Sequence, residues 1–399
     1  HWRLGSYPAA IERFQQALQI DRDLGHKVGQ AMHLGNLGIV LREQSEYARA
    51  ETCLLQALDI DQALGNELGT ARHLNNLGLV RWQTGRRAEA LECYRQALSI
   101  AERLGHARGI ASCISNIGIL HRERGEYVQA IQAYERALQL ARNAGARATV
   151  SNNLKNLGNT YRAQGKNARA AALYKETLEG RRRVLGPEHP DTLTSMNNLA
   201  QTLAEQGDHR AARRLQEHTL EIQRRVLGEE HPDTVRTMNN LALTLGAQRE
   251  HAAARRLQER VVDIHRRILG NEHPDTLTAM GNLASGLWSV GELEAALALE
   301  TQILEMRGRV LGHEHPDTLT AMYNLAYTLA DRGELKSARA LLLVAFEGRR
   351  RLLGEEHPHT KIAASKLAQL SAAAPAASAH SPTGWRYWLS RLLRLDRHQ

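Results

Sequence analysis

The sequence predicts an all-α protein built as a solenoid of antiparallel helix pairs. Three observations lead to this prediction: a strict internal repeat, apolar residues at helical spacing, and a composition rich in Ala, Leu, Arg, Glu and Gln with only two Phe and nine Pro. The repeat is clearest in one alanine series, whose step is 40 residues four times and then 42 residues four times: Ala10, Ala50, Ala90, Ala130, Ala170, Ala212, Ala254, Ala296 and Ala338. Such self-similarity indicates stacked copies of one helical unit.

A second series of small residues lies one helix earlier in each unit. It runs through Gly38, Gly78, Gly118, Gly158, Ala200, Ala242, Ala284, Ala326 and Ala368. Small residues at fixed places on two helices indicate that the helices cross there at close range, because a larger side chain would push the backbones apart. Between the two helices of a pair, a residue that is mostly glycine recurs five positions before each alanine, from Gly5 to Gly333, with Ser45 and Arg249 as exceptions.

Within a unit the apolar residues follow the spacing of a helix. Met196, Leu199 and Leu203 form one stripe, which recurs 42 and 84 residues later. The methionines could belong to a soft-ligand metal site, but we expect them to pack in the core because each shares its stripe with leucines.

Helix ends are marked in the second half of the chain. Gly186, Gly228, Gly270, Gly312 and Gly354 are predicted to take the left-handed conformation just after a helix. The sequence His-Pro-Asp-Thr then begins a new helix at 189, 231, 273 and 315, with His-Pro-His-Thr at 357. Proline suits the first helical turn, where its missing N–H breaks no hydrogen bond, and aspartate suits the positive helix end.

These sequences resemble the tetratricopeptide repeat in two lengthened forms. The 40-residue units, with Asn-Leu-Gly at 36–38, 76–78 and 156–158, are similar to the Pins/LGN class. The 42-residue units, with Asn-Asn-Leu-Ala at 197–200 and 239–242, are similar to kinesin light chain and its bacterial relatives. The resemblance implies a right-handed α–α superhelix. No heptad coiled coil is present, so attachment to a kinesin motor is not implied.

The repeats predict the following organisation. A half-repeat covers 1–27, 40-residue repeats cover 28–187, 42-residue repeats cover 188–355 and a capping helix covers 356–371, so that one solenoid spans 1–370. A flexible linker is predicted at 372–384 and a short basic amphipathic tail at 385–399. Because the chain opens within a repeat, we expect it to be a fragment or a processed chain.

The first helix of each pair carries the candidate binding residues. With its small residue taken as position 8, the resemblance implies that positions 2, 5, 6, 9, 12 and 13 line the concave face. Position 6 is asparagine in every complete repeat, and we call this set the asparagine ladder: Asn36, Asn76, Asn116, Asn156, Asn198, Asn240, Asn282 and Asn324. Asparagine within a helix costs roughly 0.6 kcal/mol relative to alanine, or about 5 kcal/mol for eight, so a compensating role is expected.

Two compatible roles fit the asparagine ladder. In one, each amide bonds a neighbouring helix of the chain itself. In the other, the amides hold the main chain of an extended peptide, because an amide matches both N–H and C=O. The resemblance implies the second role, since asparagines at this position hold bound peptide in the similar families.

Charged and aromatic residues surround the ladder. The cations are Arg42, Arg72, Arg122, Lys155, Arg162 and Arg236, and they are opposed by Glu43, Glu123, Glu205 and Asp331. The N-terminal part of the groove is therefore predicted to be net positive, which favours an acidic peptide segment. Trp82, Trp288, Tyr323 and Tyr327 either form aromatic pockets or, in the case of the tryptophans, cover the rim of the solenoid.

A second ladder, of arginines, ends the second helices: Arg183, Arg225, Arg267, Arg309 and Arg351. Attraction to the negative helix end explains it, and a track for an anionic polymer is the alternative. Aromatic residues do not interleave with these arginines, which disfavours a nucleic-acid partner. The tail Trp385–Arg397 could stay loosely ordered, dock onto protein or lie on a membrane surface.

The sequence predicts no enzyme, cofactor or metal site. Gly158 to Lys166 superficially suggests a phosphate loop, but its spacing is wrong and Asn167 stands where Ser or Thr is needed. The three cysteines form no disulfide framework, no apolar run reaches the roughly 18–20 residues of a membrane span, and we expect a cytoplasmic protein. Function is predicted as a protein- or peptide-binding scaffold. The alternatives are a sensor or autoinhibitory array of a larger signalling ATPase (NB-ARC- or NACHT-like) or protease, and an RNA or anionic-surface binder.

Overall fold

The computed structural model describes residues 7–373, and within them it contains eighteen α-helices and no strand. The helices of the first part are α1 (Tyr7–Asp23), α2 (Lys27–Glu43), α3 (Tyr47–Ala63), α4 (Glu67–Gln83), α5 (Arg87–Arg103), α6 (Ala107–Glu123), α7 (Tyr127–Asn143), α8 (Arg147–Ala163), α9 (Asn167–Leu185) and α10 (Pro190–Glu205). Those of the second part are α11 (His209–Val226), α12 (Pro232–Ala247), α13 (His251–Leu269), α14 (Pro274–Ser289), α15 (Leu293–Val310), α16 (Pro316–Asp331), α17 (Leu335–Leu353) and α18 (Pro358–Ala373). The prediction of an all-α fold is confirmed.

The described residues form two compact units, which contain α1 to α10 up to residue 206 and α11 to α18 from residue 207. Within each unit consecutive helices pack against each other. In the first unit α2, α4, α6 and α8 also touch their neighbours in this series, so the first helices of successive pairs form a continuous layer. Residues 374–399, which include the predicted tail and most of the predicted linker, lie outside the described residues.

The close crossing predicted from the small residues is present. A Cβ added at Gly78 on α4 would lie 2.5 Å from Cε1 of Tyr94 on α5. Tyr94 is fully buried, so the glycine leaves the space that the ring fills. The same contact recurs between Gly118 and Tyr134 and between Gly158 and Tyr174.

In the 42-residue units alanine replaces this glycine, and a smaller side chain replaces the tyrosine. Ala242 faces this crossing from α12, and the residue corresponding to Tyr94 on α13 is Gln258, which is buried. The methionines of the apolar stripe, Met196, Met238 and Met280, are all buried. Their predicted role in core packing is confirmed.

The helix ends differ from the prediction in one respect. Gly186, Gly270 and Gly354 have positive φ of 91°, 90° and 83°, as expected, but their ψ values are 168°, 166° and 166°. This is the mirror image of the extended conformation, which only glycine adopts readily, and not the left-handed helical region. The physical reason is that the chain leaves the helix extended in order to reach the next helix, whose capping histidine is also extended, as at His189.

The His-Pro-Asp-Thr sequence closes each of these connections. Proline occupies the first turn of α10, α12, α14 and α16, as predicted. His189 Nδ1 accepts from the backbone N–H of Asp191 at 3.1 Å, and Thr192 Oγ1 donates to the carbonyl of Gly186 at 2.8 Å. The roles of histidine as helix cap and of threonine as a link to the preceding helix were not predicted.

Buried polar contacts join the end of a second helix to the following first helix. On α3 and α4, Asp61 Oδ2 and His73 Nε2 lie 3.0 Å apart, and each side chain is 1% exposed. At the corresponding place between α9 and α10, Arg181 Nη1 donates to Ser195 Oγ at 2.9 Å. The position is therefore polar in several repeats, but its chemistry changes from one to the next.

Candidate functional site

The asparagine ladder lies on the first helices of the pairs, the even-numbered helices from α2 to α16. Asn156 is buried, Asn324 is exposed and the other six are partly exposed. Partly exposed amides on a helix face keep one side available to a ligand while the other side packs against the protein.

Two ladder amides are bonded to the neighbouring repeat. Asn116 Nδ2 donates to Asn75 Oδ1 at 2.9 Å, and Asn282 Nδ2 donates to Asn239 Oδ1 at 3.0 Å. In both cases position 6 of one first helix bonds position 5 of the preceding first helix. These two amides therefore have the first of the two predicted roles, in which the amide bonds a neighbouring helix of the chain itself.

Other ladder amides lack this bond because position 5 of the preceding repeat differs. That position is Gly35 before Asn76 and Gly281 before Asn324, and glycine offers no side-chain acceptor. Within the described parts of the chain, the side-chain amides of Asn36, Asn76, Asn156 and Asn324 form no hydrogen bond. Asn75 and Asn239 were not singled out from the sequence, although a rule pairing position 5 with position 6 of the next repeat would have found them.

The carboxylates near the ladder are already engaged by the protein. Trp82 Nε1 donates to Glu123 Oε1 at 2.8 Å, and Trp288 Nε1 donates to Asp331 Oδ2 at 2.8 Å. Both bonds join position 12 of one first helix to position 13 of the next. The ion pair between Arg162 Nη1 and Glu205 Oε1, at 4.0 Å, joins the same two positions, and Arg42 pairs with the adjacent Glu43.

Positive charge remains on the face of the first unit. Among the described residues, Arg72, Arg122 and Lys155 form no ion pair. Lys155 is partly buried, and burial lowers its pKa, with Arg181 and Arg122 lowering it further. In the second unit Arg236 is paired with Asp233 at 2.7 Å. The unpaired cations of the candidate site therefore lie in the first unit.

The two tyrosines at the end of the ladder contact cations of the protein. The ring centroids of Tyr323 and Tyr327 are 4.9 Å apart. Arg349 lies 4.7 Å from the centroid of Tyr323, and Lys366 Nζ lies 4.0 Å from the centroid of Tyr327. Lys366 occupies position 6 of α18, so a lysine takes the place that asparagine has in the ladder. The tyrosines thus help to hold the closing helix.

Three arginines of the ladder on the second helices are paired with glutamates of the connections. Arg267 pairs with Glu230 at 2.6 Å and Arg351 pairs with Glu314 at 2.9 Å, and Arg309 and Glu272 make the equivalent contact. Each pair spans 37 residues and links successive repeats. Attraction to the negative helix end therefore explains the arginine ladder only in part, because the sequence analysis did not identify these glutamate partners.

Residues 7–373 contain no group of three or more histidine, cysteine or acidic side chains that could hold a metal ion. No helix in the same range is long and apolar enough to cross a membrane.

Comparison with known proteins identifies the repeats. A tetratricopeptide-repeat model matches residues 1–63, 69–143, 147–225, 203–266 and 245–308, and a second such model matches 318–359. No curated protein matches the chain.

Three solved structures are similar to this chain, and the first two share its fold. The apo form of the quorum sensor NprR from B. thuringiensis has 13% identity and a TM-score of 0.63, over 86% of this chain and 98% of that chain. BtubC (BKLC) from P. vanneervenii has 20% identity and a TM-score of 0.50, over 63% and 95%. A putative kinesin light chain from Podosopora anserina has 27% identity and a TM-score of 0.46, over 50% and 95%.

Proposed function

The chain belongs to the tetratricopeptide-repeat family, whose models match most of its length, and from this premise we propose that it is a non-enzymatic scaffold that binds a protein or peptide. The ligand would lie along the face of the first helices as an extended segment. The observation that carries the proposal is the unbroken asparagine ladder, of which Asn36, Asn76 and Asn156 have side-chain amides with no hydrogen bond inside the described chain. An amide can satisfy both main-chain groups of a peptide without reading its sequence.

The charge of this face favours an acidic segment. The carboxylates Glu123 and Glu205 are paired with Arg87 and Arg162. Within residues 7–373, Arg72 and Arg122 have no acidic partner. An approaching carboxylate therefore meets unpaired positive charge, which increases the association rate and selects against basic peptides. The paired arginines of the second helices contribute little to this preference, because their charge is already balanced.

Fluorescence anisotropy tests the proposal. The probes are a fluorescein-labelled 15-residue peptide that alternates Glu with Ala and Leu, and a counterpart in which Lys replaces every Glu. The variant Asn36→Ala/Asn76→Ala removes two partly exposed ladder amides that form no hydrogen bond within residues 7–373, and Asn143→Ala, on the exposed end of the second helix α7, is the matched control.

The acidic peptide is expected to bind more tightly than the basic one. Loss of two ligand hydrogen bonds, at about 1 kcal/mol each, is expected to weaken binding by about 30-fold. Asn143→Ala is expected to leave the affinity unchanged. Equal affinity of the wild type and the double variant would refute the role of the ladder. Tighter binding of a single-stranded RNA than of either peptide, with a steep salt dependence, would favour the nucleic-acid alternative.

A further inference from the structure

A carboxyl group is buried in the second unit at a place where the preceding repeats carry an amide. Glu300 lies on α15, four residues after Ala296, and is 7% exposed. The residues at the same place in the two preceding repeats are Gln216 and Gln258, which are 1% and 5% exposed. The buried environment is thus shared, and only the chemistry of the terminal group differs.

In the repeat directly before Glu300, the amide at this place donates a hydrogen bond to the next first helix. Gln258 Nε2 donates to the main-chain carbonyl of Asn282 on α14 at 3.2 Å. Asn282 belongs to the asparagine ladder, and its counterpart one repeat later is Asn324 on α16. Glu300 also faces α16, since Thr328 forms a hydrogen bond with its carboxyl group, but its Oε2 is buried and finds no hydrogen-bond partner in the part of the chain that the structure describes.

Protonation decides whether Glu300 can act as the glutamine does. A protonated carboxyl has the shape of the amide and one O–H to donate, whereas a carboxylate only accepts. The carboxylate would also place a negative charge without a counter-ion in the interior, which is strongly unfavourable. The contact between α15 and α16 is therefore stronger when Glu300 carries a proton.

The surrounding charges do not supply a counter-ion. The helices packed against α15 are α14 and α16. Their titratable side chains, with the titratable and charged ones of α15 itself, are Asp275, Asp317, Tyr323, Tyr327, Asp331, Glu294, Glu305, Arg307 and Arg309. None of these influences the pKa of Glu300, which burial raises to about 7 while the bond from Thr328 opposes the rise.

We propose that Glu300 is a proton-controlled latch between α15 and α16, closed when the carboxyl is protonated and loosened when it loses its proton. α16 carries the ladder residue Asn324 and the tyrosine pair that contacts the closing helix, so loosening this contact disturbs the last part of the candidate binding face. The latch does not depend on the ligand, and it holds whether or not the proposed function is correct.

Hydrogen–deuterium exchange of the full chain tests the latch. Peptides covering α15 and α16 are followed by mass spectrometry at pH 5.5 and pH 8.5 in the wild type and in Glu300→Gln. Comparing the two proteins at the same pH cancels the intrinsic effect of pH on exchange. Glu305→Gln, which removes an exposed carboxylate from the same helix, is the matched control.

At pH 5.5 the wild type is expected to open about tenfold more readily than Glu300→Gln, because its carboxyl already ionises in the open state, where its pKa is 4.5. Between pH 5.5 and pH 8.5 the opening of the wild type relative to the variant is expected to rise about 30-fold, from pKa values of 4.5 unfolded and about 7 folded. A ratio that is the same at both pH values would overturn the proposal.

A reciprocal variant keeps the test independent of one substitution. Gln258→Glu places the carboxyl one repeat earlier, and it is expected to make the protection of α13 and α14 fall as the pH rises. Unchanged protection of these helices at pH 8.5 would also count against the latch.

Discussion

Substitution of Gly78 by alanine is expected to destabilise the first unit, although alanine is the better helix former. The added Cβ would lie 2.5 Å from Cε1 and 2.8 Å from Cδ1 of Tyr94, and Cβ atoms essentially never approach other atoms within 3.0 Å. Tyr94 is 1% exposed, so its ring cannot swing into solvent. The helices α4 and α5 must therefore move apart.

The magnitude follows from two opposing effects. Overpacking of a core typically costs about 1–3 kcal/mol, and replacing glycine by alanine within a helix gains about 1 kcal/mol. Gly180→Ala on α9 is the matched control, because its Cβ would meet only Ser151 Oγ, at an ordinary 3.7 Å. The control is expected to stabilise the protein by about 1 kcal/mol, and the difference between the two variants is the overpacking alone.

A compensating substitution of Tyr94 tests whether the ring causes the destabilisation. The second unit places Ala242 and Gln258 where the first has Gly78 and Tyr94, so Tyr94→Gln should accommodate the alanine. Urea unfolding, followed by circular dichroism, measures each single variant and the double variant. A favourable coupling of about 0.5–3 kcal/mol is expected in this cycle. Equal stability of Gly78→Ala and Gly180→Ala would refute overpacking at this crossing.

Two further predictions concern stability. Arg249 has a φ of 65°, where most repeats have glycine, so Arg249→Gly is expected to raise the free energy of unfolding by about 1 kcal/mol in urea, and a loss would contradict this. Burial lowers the pKa of His73 to about 4, with the charge of Arg72 lowering it further and Asp61 opposing the shift. The folded protein then binds fewer protons than the unfolded chain between about pH 4 and 6.5, so stability should fall as the pH falls through this window. The next repeat has Ala101 and Cys113 at the positions of Asp61 and His73. The double variant Asp61→Ala/His73→Cys should therefore lose this pH dependence, measured by urea unfolding at pH 4.5 and 7. An unchanged pH dependence would assign it to other groups.

The fold could be predicted because its signals are local and repeated. The small residues that allow α4 and α5 to cross are visible as a series, and one of them, Gly78, lies at a close crossing as predicted, where it meets the ring of Tyr94. The conformation of Gly186 was only half predicted, since positive φ follows from glycine after a helix whereas ψ depends on where the next helix begins.

The candidate site could be predicted only in outline. The sequence places Asn116 and Asn282 on one helix face, but it does not show that Asn75 and Asn239 occupy their amides. The sequence also does not show whether Trp82 and Trp288 line a pocket or bond to the next repeat, because both roles use the same type of side chain. Which one occurs depends on distances between residues more than 40 positions apart.

The amino-acid sequence by itself determined the all-α class, the helix pairs, their small-residue crossings and the position of the asparagine ladder, because each follows from the 3.6-residue period and from backbone preferences that act over a few residues. Only the tertiary structure decided which polar groups satisfy one another: the bonds from the tryptophans, the arginine–glutamate pairs and the unpartnered oxygen of Glu300. Hydrogen bonds and ion pairs form only within a few ångströms, and the packing of successive repeats sets those distances.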